Sequence, residues 1–279
     1  MPRRRRLNIP LIKGIVMALS TAALGGLSAF TGIGTQVAAA PFTRFMLGST
    51  PERAGALAMV TAVVAAAAGA AGAARMGVPI NVGLVIVLAI GATVGALLGA
   101  VPSTRLTPAL RRAGPALGIA LSVYVLSEGL RRPIGGPPQV AVPALQTAAG
   151  LAAAAAVAGG LARLFRLSAG IALVPVAVFI AGAQVGEAIV ASLLVTVVAG
   201  LLPLAGYTAK GLFDPVMARW MSLGAALGGW GGGALLGSYG GTSAATPLIA
   251  FGVVTMVLCG WELSGQSPAS SQPLEEPKV

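Results

Sequence analysis

The 279-residue chain is 56% hydrophobic and only 9% charged, against roughly a quarter charged in a soluble domain, so water is not its main solvent. It has no His and a single Cys, Cys259, which excludes a His-built metal centre, a His-based catalytic dyad and an internal disulfide. The net charge of +11 does not point to nucleic acid, because the Lys and Arg stand singly between apolar runs, as charges flanking membrane spans do.

Turn and charge clusters cut the chain into ten apolar segments. The first, residues 11–30, follows Arg3-Arg4-Arg5-Arg6 and resembles a signal peptide with a weak cleavage candidate near Ser28-Ala29. Its Gly25-Gly26-Leu27 returns in mid-chain as Gly159-Gly160-Leu161, so it is expected to be a retained helix. The second, residues 35–49, opens after Gly32-Ile33-Gly34 and contains Pro41. Thr50-Pro51-Glu52 reads as N-cap, N1 and N2 of the third, residues 54–74. Segments 80–101 and 113–130 complete the half, with Gly91, Gly95 and Gly99 four apart as a packing face. Arg131-Arg132-Pro133-Ile134-Gly135-Gly136-Pro137-Pro138 is too rich in Pro and Gly to be helical and makes 131–142 a linker. Segments 143–163, 168–183, 186–207, 214–236 and 242–262 follow, with Gly224, Gly228 and Gly232 repeating the glycine spacing. The polar stretch 264–279, with Pro268, Pro273 and Pro277, is expected to be disordered.

The halves are copies 134 residues apart: Pro41 returns as Pro175, Phe45 as Phe179, Gly48 as Gly182, Gly77 as Gly211 and Glu128 as Glu262. Pro, Phe and Glu are scarce here, so these matches carry more weight than those of Gly. The expected fold is an all-α polytopic membrane protein, with repeats at 1–130 and 143–263. Segments 35–49 and 168–183 are the exceptions in length: some 15 to 16 residues reach only about 24 Å, short of the roughly 20 residues needed to cross a bilayer. Paired short, Pro-interrupted segments are a pointer to a transporter's binding site. They either span or re-enter.

With a cytoplasmic N-terminus and ten reversals, 15 of the 18 Lys and Arg fall inside, and only Arg75, Arg131 and Arg132 outside. Both termini are then cytoplasmic, and an odd number of segments per half makes the second copy inverted.

The candidate substrate site joins Gly32, Gly34, Thr35 and Gln36 to Arg166, Ser168 and Gly170. Glycines let the backbone turn sharply, and a helix start offers free N–H groups and the positive end of a dipole, which suits an anion. The plainer reading of the first turn is a tight loop with close helix packing. Arg163 and Arg166 are either cytoplasmic anchors or, if the preceding segment re-enters, part of the site. Arg44 reads as an interfacial residue snorkelling outward, with substrate contact as its alternative. Glu187 is a helix-start acid near the polarity boundary, with proton coupling as its alternative. Glu128 and Glu262 read as interfacial.

At these residues the chain resembles the sulfite exporter TauE/SafE family, whose halves each look like a GIGGG-type glycine run, a Pro about nine positions on, an Ala-Thr-Ser-Leu-like stretch and a Gly-rich helix. Here Gly32-Ile33-Gly34 and Pro41 match, with Thr35-Gln36 in place of the last two glycines. Ala191-Ser192-Leu193 looks like the hydroxyl-bearing element, while Leu57-Ala58-Met59 lacks its hydroxyls. Residues 77–81 and 211–215 look like the loop before the Gly-rich helix. The resemblance covers about residues 11–263. It implies a multi-pass protein of a bacterial inner membrane that moves small anions, notably sulfite and organosulfonates, without a cofactor. Arg166 stands where a glycine is expected, which leaves the exact substrate open.

No P-loop is present, so ATP drive within this chain is not expected; the coupling ion, proton or sodium, is open, as is a homodimer. The nearest rival is a ten-helix drug/metabolite-class transporter, which is expected to lack the two Pro-interrupted short segments. An intramembrane enzyme of lipid metabolism is the rival of another class. It would need acid–base groups that a chain without His and with few acids at depth hardly supplies. A non-transporting scaffold is the third.

Overall fold

The computed structural model describes residues 9–99, 108–131, 145–165, 168–239 and 245–265. Among them are ten helices and no strand. In the first half these are α1 (Ile9–Thr31), α2 (Gln36–Leu47), α3 (Pro51–Arg75), α4 (Val82–Leu98) and α5 (Pro108–Arg131). In the second they are α6 (Leu145–Phe165), α7 (Ala169–Pro175, continued by a π turn Val176–Ile180), α8 (Val185–Ala209), α9 (Pro215–Tyr239) and α10 (Ala245–Gly265). Each expected segment is met by one helix. The linker beyond Arg131 and the tail beyond Gly265 lie outside the described residues, while Ser264 and Gly265 still belong to α10.

Local chemistry accounts for the helix ends. The Thr50 side chain accepts the Arg53 amide, with Pro51 at the first helical position. Asn81 Oδ1 accepts the Leu84 amide at 3.0 Å, and Asp214 Oδ1 accepts those of Val216 and Met217 at 3.0 and 3.1 Å. Two glycine stops repeat at the 134-residue offset: Gly48 and Gly182 at φ 58° and 68°, Gly77 and Gly211 at φ 89° and 63°. These left-handed values suit glycine alone, and they end equivalent helices in the two halves.

Packing crosses between the halves. Gly224, Gly228 and Gly232 of α9 lie against the carbonyls of Ala18, Ala22 and Gly26 in α1. Gly91 and Gly95 of α4, with Gly99 just past it, lie against the carbonyls of Ala152, Ala156 and Gly160 in α6. The contacted positions are again 134 apart, so each half's first helix is seated on the fourth helix of the other half. Lipid tails are as apolar as any side chain, so close backbone approach through small residues replaces the hydrophobic effect as the source of attraction.

Equivalent helices run antiparallel. Along α3 and α8, Gly55 faces Tyr207, Val63 faces Gly200, Gly69 faces Leu193, and Val78, just beyond α3, faces Gly186. Along α5 and α10, Gly118 faces Cys259 and Leu126 faces Gly252. The main core forms around α7 and α8, where Leu173, Val174, Ile189 and Leu193 are fully buried.

The halves differ in one seam. Gly72 of α3 packs on the Trp230 carbonyl of α9, and Gly233 on the Gly69 carbonyl. The repeat mate of Gly72 is Gly206 of α8, which is exposed and has no described atom within 4 Å of an added Cβ.

Three described helices are long and apolar enough to cross a membrane, over Leu11–Thr31, Pro51–Arg75 and Val185–Ala209. The outer surface is apolar as well: Leu19, Ile90, Val157, Leu227 and Val257 are all exposed, as a lipid-facing surface requires. By contrast, α2 has 12 residues, which reach only about 18 Å. Lys13, Leu47, Thr50, Arg53, Asp214 and Met217 border one cavity of about 500 Å³. The start of α1, the end of α2 and the starts of α3 and α9 therefore share one end of the molecule. The chain goes in by α1 and returns by α2 to the end where it began.

Candidate functional site

Between α1 and α2 the chain breaks at residues 32–35. Gly32 carries φ 78°, a left-handed value that turns the chain back without the Cβ strain another residue would meet. The carbonyls of the last α1 turn then have no following helical amides, and α2 opens with amides outside its own ladder. The amides of Ala38 and Ala39 both return to the Thr35 carbonyl, at 3.2 and 2.8 Å.

The second break leads into α7, and the two breaks meet. Gly170 lies directly against the Gly32 carbonyl oxygen, where a Cβ would collide with it. Gly34 lies against the Ser168 hydroxyl. Ser192 of α8 ties the pair together: its hydroxyl donates to the Gly32 carbonyl at 3.2 Å and lies beside Gly170. Ser168 Oγ accepts the Gly170 amide at 3.4 Å and so caps α7. Thr196, one turn beyond Ser192, returns its hydroxyl to the Ser192 carbonyl at 2.9 Å. Ser192 and Thr196 lie roughly 10 and 17 Å along α8 at 1.5 Å per residue, so the meeting point is deep within the helix bundle.

Burial is nearly complete. Thr35 and Ser168 are each 3% exposed and Ser192 is 0% exposed. The Thr35 hydroxyl is buried without a hydrogen-bond partner among the described residues, which is costly for a polar group. Gln36 is half-buried and donates from Nε2 to Met59 Sδ at 3.2 Å. Of the expected site residues, Gly32, Gly34, Thr35, Gln36, Ser168 and Gly170 are thus brought to the two adjoining turns. Arg166 lies outside the described residues.

Some features were not legible beforehand. Ser192 and Thr196 belong to the meeting point, and the Ala191-Ser192-Leu193 stretch was the available signal, read only as part of a resemblance. Glu187, expected near the polarity boundary, is 5% exposed in the first turn of α8. Arg163, at the end of α6, is exposed. Arg44 is exposed in the last turn of α2. Among the described residues no group of His, Cys, Asp and Glu could hold a metal ion.

Chemically, the described turns offer hydroxyl and amide donors without an ionisable side chain, in a buried setting. Such a setting can replace the hydration shell of a small anion one hydrogen bond at a time. A model of the sulfite exporter TauE/SafE family matches residues 16–260. Neither the curated proteins nor the solved structures include a match to the chain.

Proposed function

The chain belongs to the sulfite exporter TauE/SafE family, and on that premise we propose that it carries a small sulfur oxyanion, sulfite or an organosulfonate, held where its two broken turns meet. The observation that carries the reading is the contact of residues 32–36 with residues 168–170, deep along α8, bridged by Ser192. The start of α2 presents amides and the positive end of its dipole. Thr35 and Ser168 supply hydroxyls whose protons can turn towards an oxyanion, while the Ser192 proton holds the Gly32 carbonyl. Arg166, two residues before Ser168, supplies the full positive charge that offsets anion desolvation.

The antiparallel run of α3 against α8 and of α5 against α10 supports two inverted halves around this point. Lys13 and Arg53 border the same end, and the basic-residue bias assigns that end, with both termini, to the cytoplasm of a bacterial inner membrane.

Flux in proteoliposomes tests the reading, with sulfite, an alkanesulfonate, sulfate, phosphate and chloride as the panel. Saturable movement of sulfite or the sulfonate, competed by the other of the two, is the expected result. Transport of a neutral metabolite with no anion response would favour the drug/metabolite class instead.

A further inference from the structure

The cavity of about 500 Å³ bordered by the ends of α1, α2, α3 and α9 lies apart from the two turns. Two cations line it, Lys13 and Arg53, against one acid, Asp214. All three are exposed, and among the described residues none forms an ion pair. Asp214 is engaged elsewhere: its Oδ1 accepts the Val216 and Met217 amides at 3.0 and 3.1 Å, at the positive end of α9. The starts of α3 and α9 bring two positive dipole ends to this space, against the one negative end of α2. Ser49 lines it too, and its buried hydroxyl has no hydrogen-bond partner among the described residues. Rotation about χ1 turns that hydroxyl to a ligand without breaking a bond to any of them.

The cations are not a legacy of the duplication. At the 134-residue offset Lys13 returns as Thr147, Ser49 as Ala183 and Arg53 as Glu187. The positive-inside bias accounts for the side on which Lys13 and Arg53 stand, but not for their meeting in one recess. Arg219, exposed on α9, meets the same bias without lining it. The recess also leads inward. Its lining includes Leu57, and two residues further along α3 the Met59 sulfur accepts from Gln36 of the first turn. From Arg53 to Met59 is about 9 Å along the helix.

We propose that this recess is a second oxyanion site, in which Lys13 and Arg53 capture the transported anion at the mouth before it reaches the turns. The inference deepens the transport reading and rests on it. Arg53 offers a sulfite or sulfonate group two parallel N–H donors, and Lys13 a point charge. At roughly 30 Å³ per water, the recess holds the anion with part of its hydration shell. Binding there is weak for that reason, and full desolvation is deferred to the turns.

The test titrates sulfite calorimetrically into the full chain in detergent at low ionic strength. Wild type is expected to show a tight step and a weak one, the weak step fading as potassium chloride screens the exposed cations. Arg53→Gln should weaken the weak step about tenfold and spare the tight one. Gly170→Ala should do the opposite. Arg219→Gln removes the same charge from the same end and should titrate as wild type. A single step in the wild type, a weak step unchanged in Arg53→Gln, or equal weakening in Arg219→Gln overturns the mouth site. A tight step retained in that case keeps the transport reading alone. A weak step that Arg53→Gln removes, with no tight step, keeps the mouth site and counts against the site at the turns. Phosphatidylglycerol that suppresses the weak step and resists excess sulfite assigns the recess to a lipid phosphate and overturns capture of a soluble anion. If Arg53→Gln does not fold, Lys13→Gln takes its place with the same outcomes.

Discussion

Replacing Gly170 by Ala puts one methyl group between the two turns. Its position is within collision distance of the Gly32 carbonyl oxygen and 3.1 Å from Ser192 Oγ. The obstacle is backbone, fixed in a left-handed turn and tied by the Ser192 hydrogen bond, so no side chain can swing away. Relief requires the turns to separate. Overpacking of this kind costs about 1–3 kcal/mol, and losing the Ser192 bond to Gly32 adds about 1 kcal/mol. A total near 2–4 kcal/mol, if it falls on the bound state, lowers sulfite affinity roughly 30-fold or more. The matching control is Gly206→Ala, where no described atom lies within 4 Å and the added methyl gains helix propensity of up to about 1 kcal/mol. Calorimetric titration of sulfite and the thermal unfolding midpoint, measured on both variants, give the comparison. Wild-type affinity and midpoint in Gly170→Ala would mean that the turns are not in contact in the working protein, and the proposed site would fall with that contact.

Arg166→Gln should weaken anion binding by about 1.5–3 kcal/mol, the value of a hydrogen bond to a charged group, while Arg75→Gln should change it little; equal affinity in a folded Arg166→Gln would make Arg166 a topology anchor. On a Cys259→Ala background, a single Cys at Gly136 should react with an impermeant reagent from outside, and one at Gly265 should not. Reaction of Gly265 from outside reverses the proposed orientation. Cysteines at Gly55 and Tyr207 should be bridged by a short bifunctional reagent, because α3 and α8 run antiparallel there. A pair at Gly55 and Gly186 should not be bridged, and the opposite pattern would show the two helices to be parallel.

The ten segments and the position of the breaks were legible because they depend on each residue's own backbone and on local hydropathy. Pro51 behind Thr50 starts a helix wherever it stands, and Gly48, Gly77, Gly182 and Gly211 end helices by adopting a left-handed φ that needs no partner. Gly32 to Gln36 could be read as a break for the same reason. Which helix meets which was another matter. Gly91, Gly95 and Gly99 announce a packing face, but nothing in their spacing says that the facing helix belongs to the other half. In a chain apolar on every side, lipid-facing Val157 and fully buried Leu151 belong to the same residue class, so no alternation separates core from surface. Ser192 could donate to the Gly32 carbonyl only once antiparallel packing had brought residues 160 positions apart into reach. The burial of Glu187 and the unpartnered Thr35 hydroxyl likewise depend on neighbours supplied by other helices. Local sterics and hydropathy settle where a membrane chain turns. Close backbone approach, which has no one-dimensional signature beyond small residues, settles what the turns face.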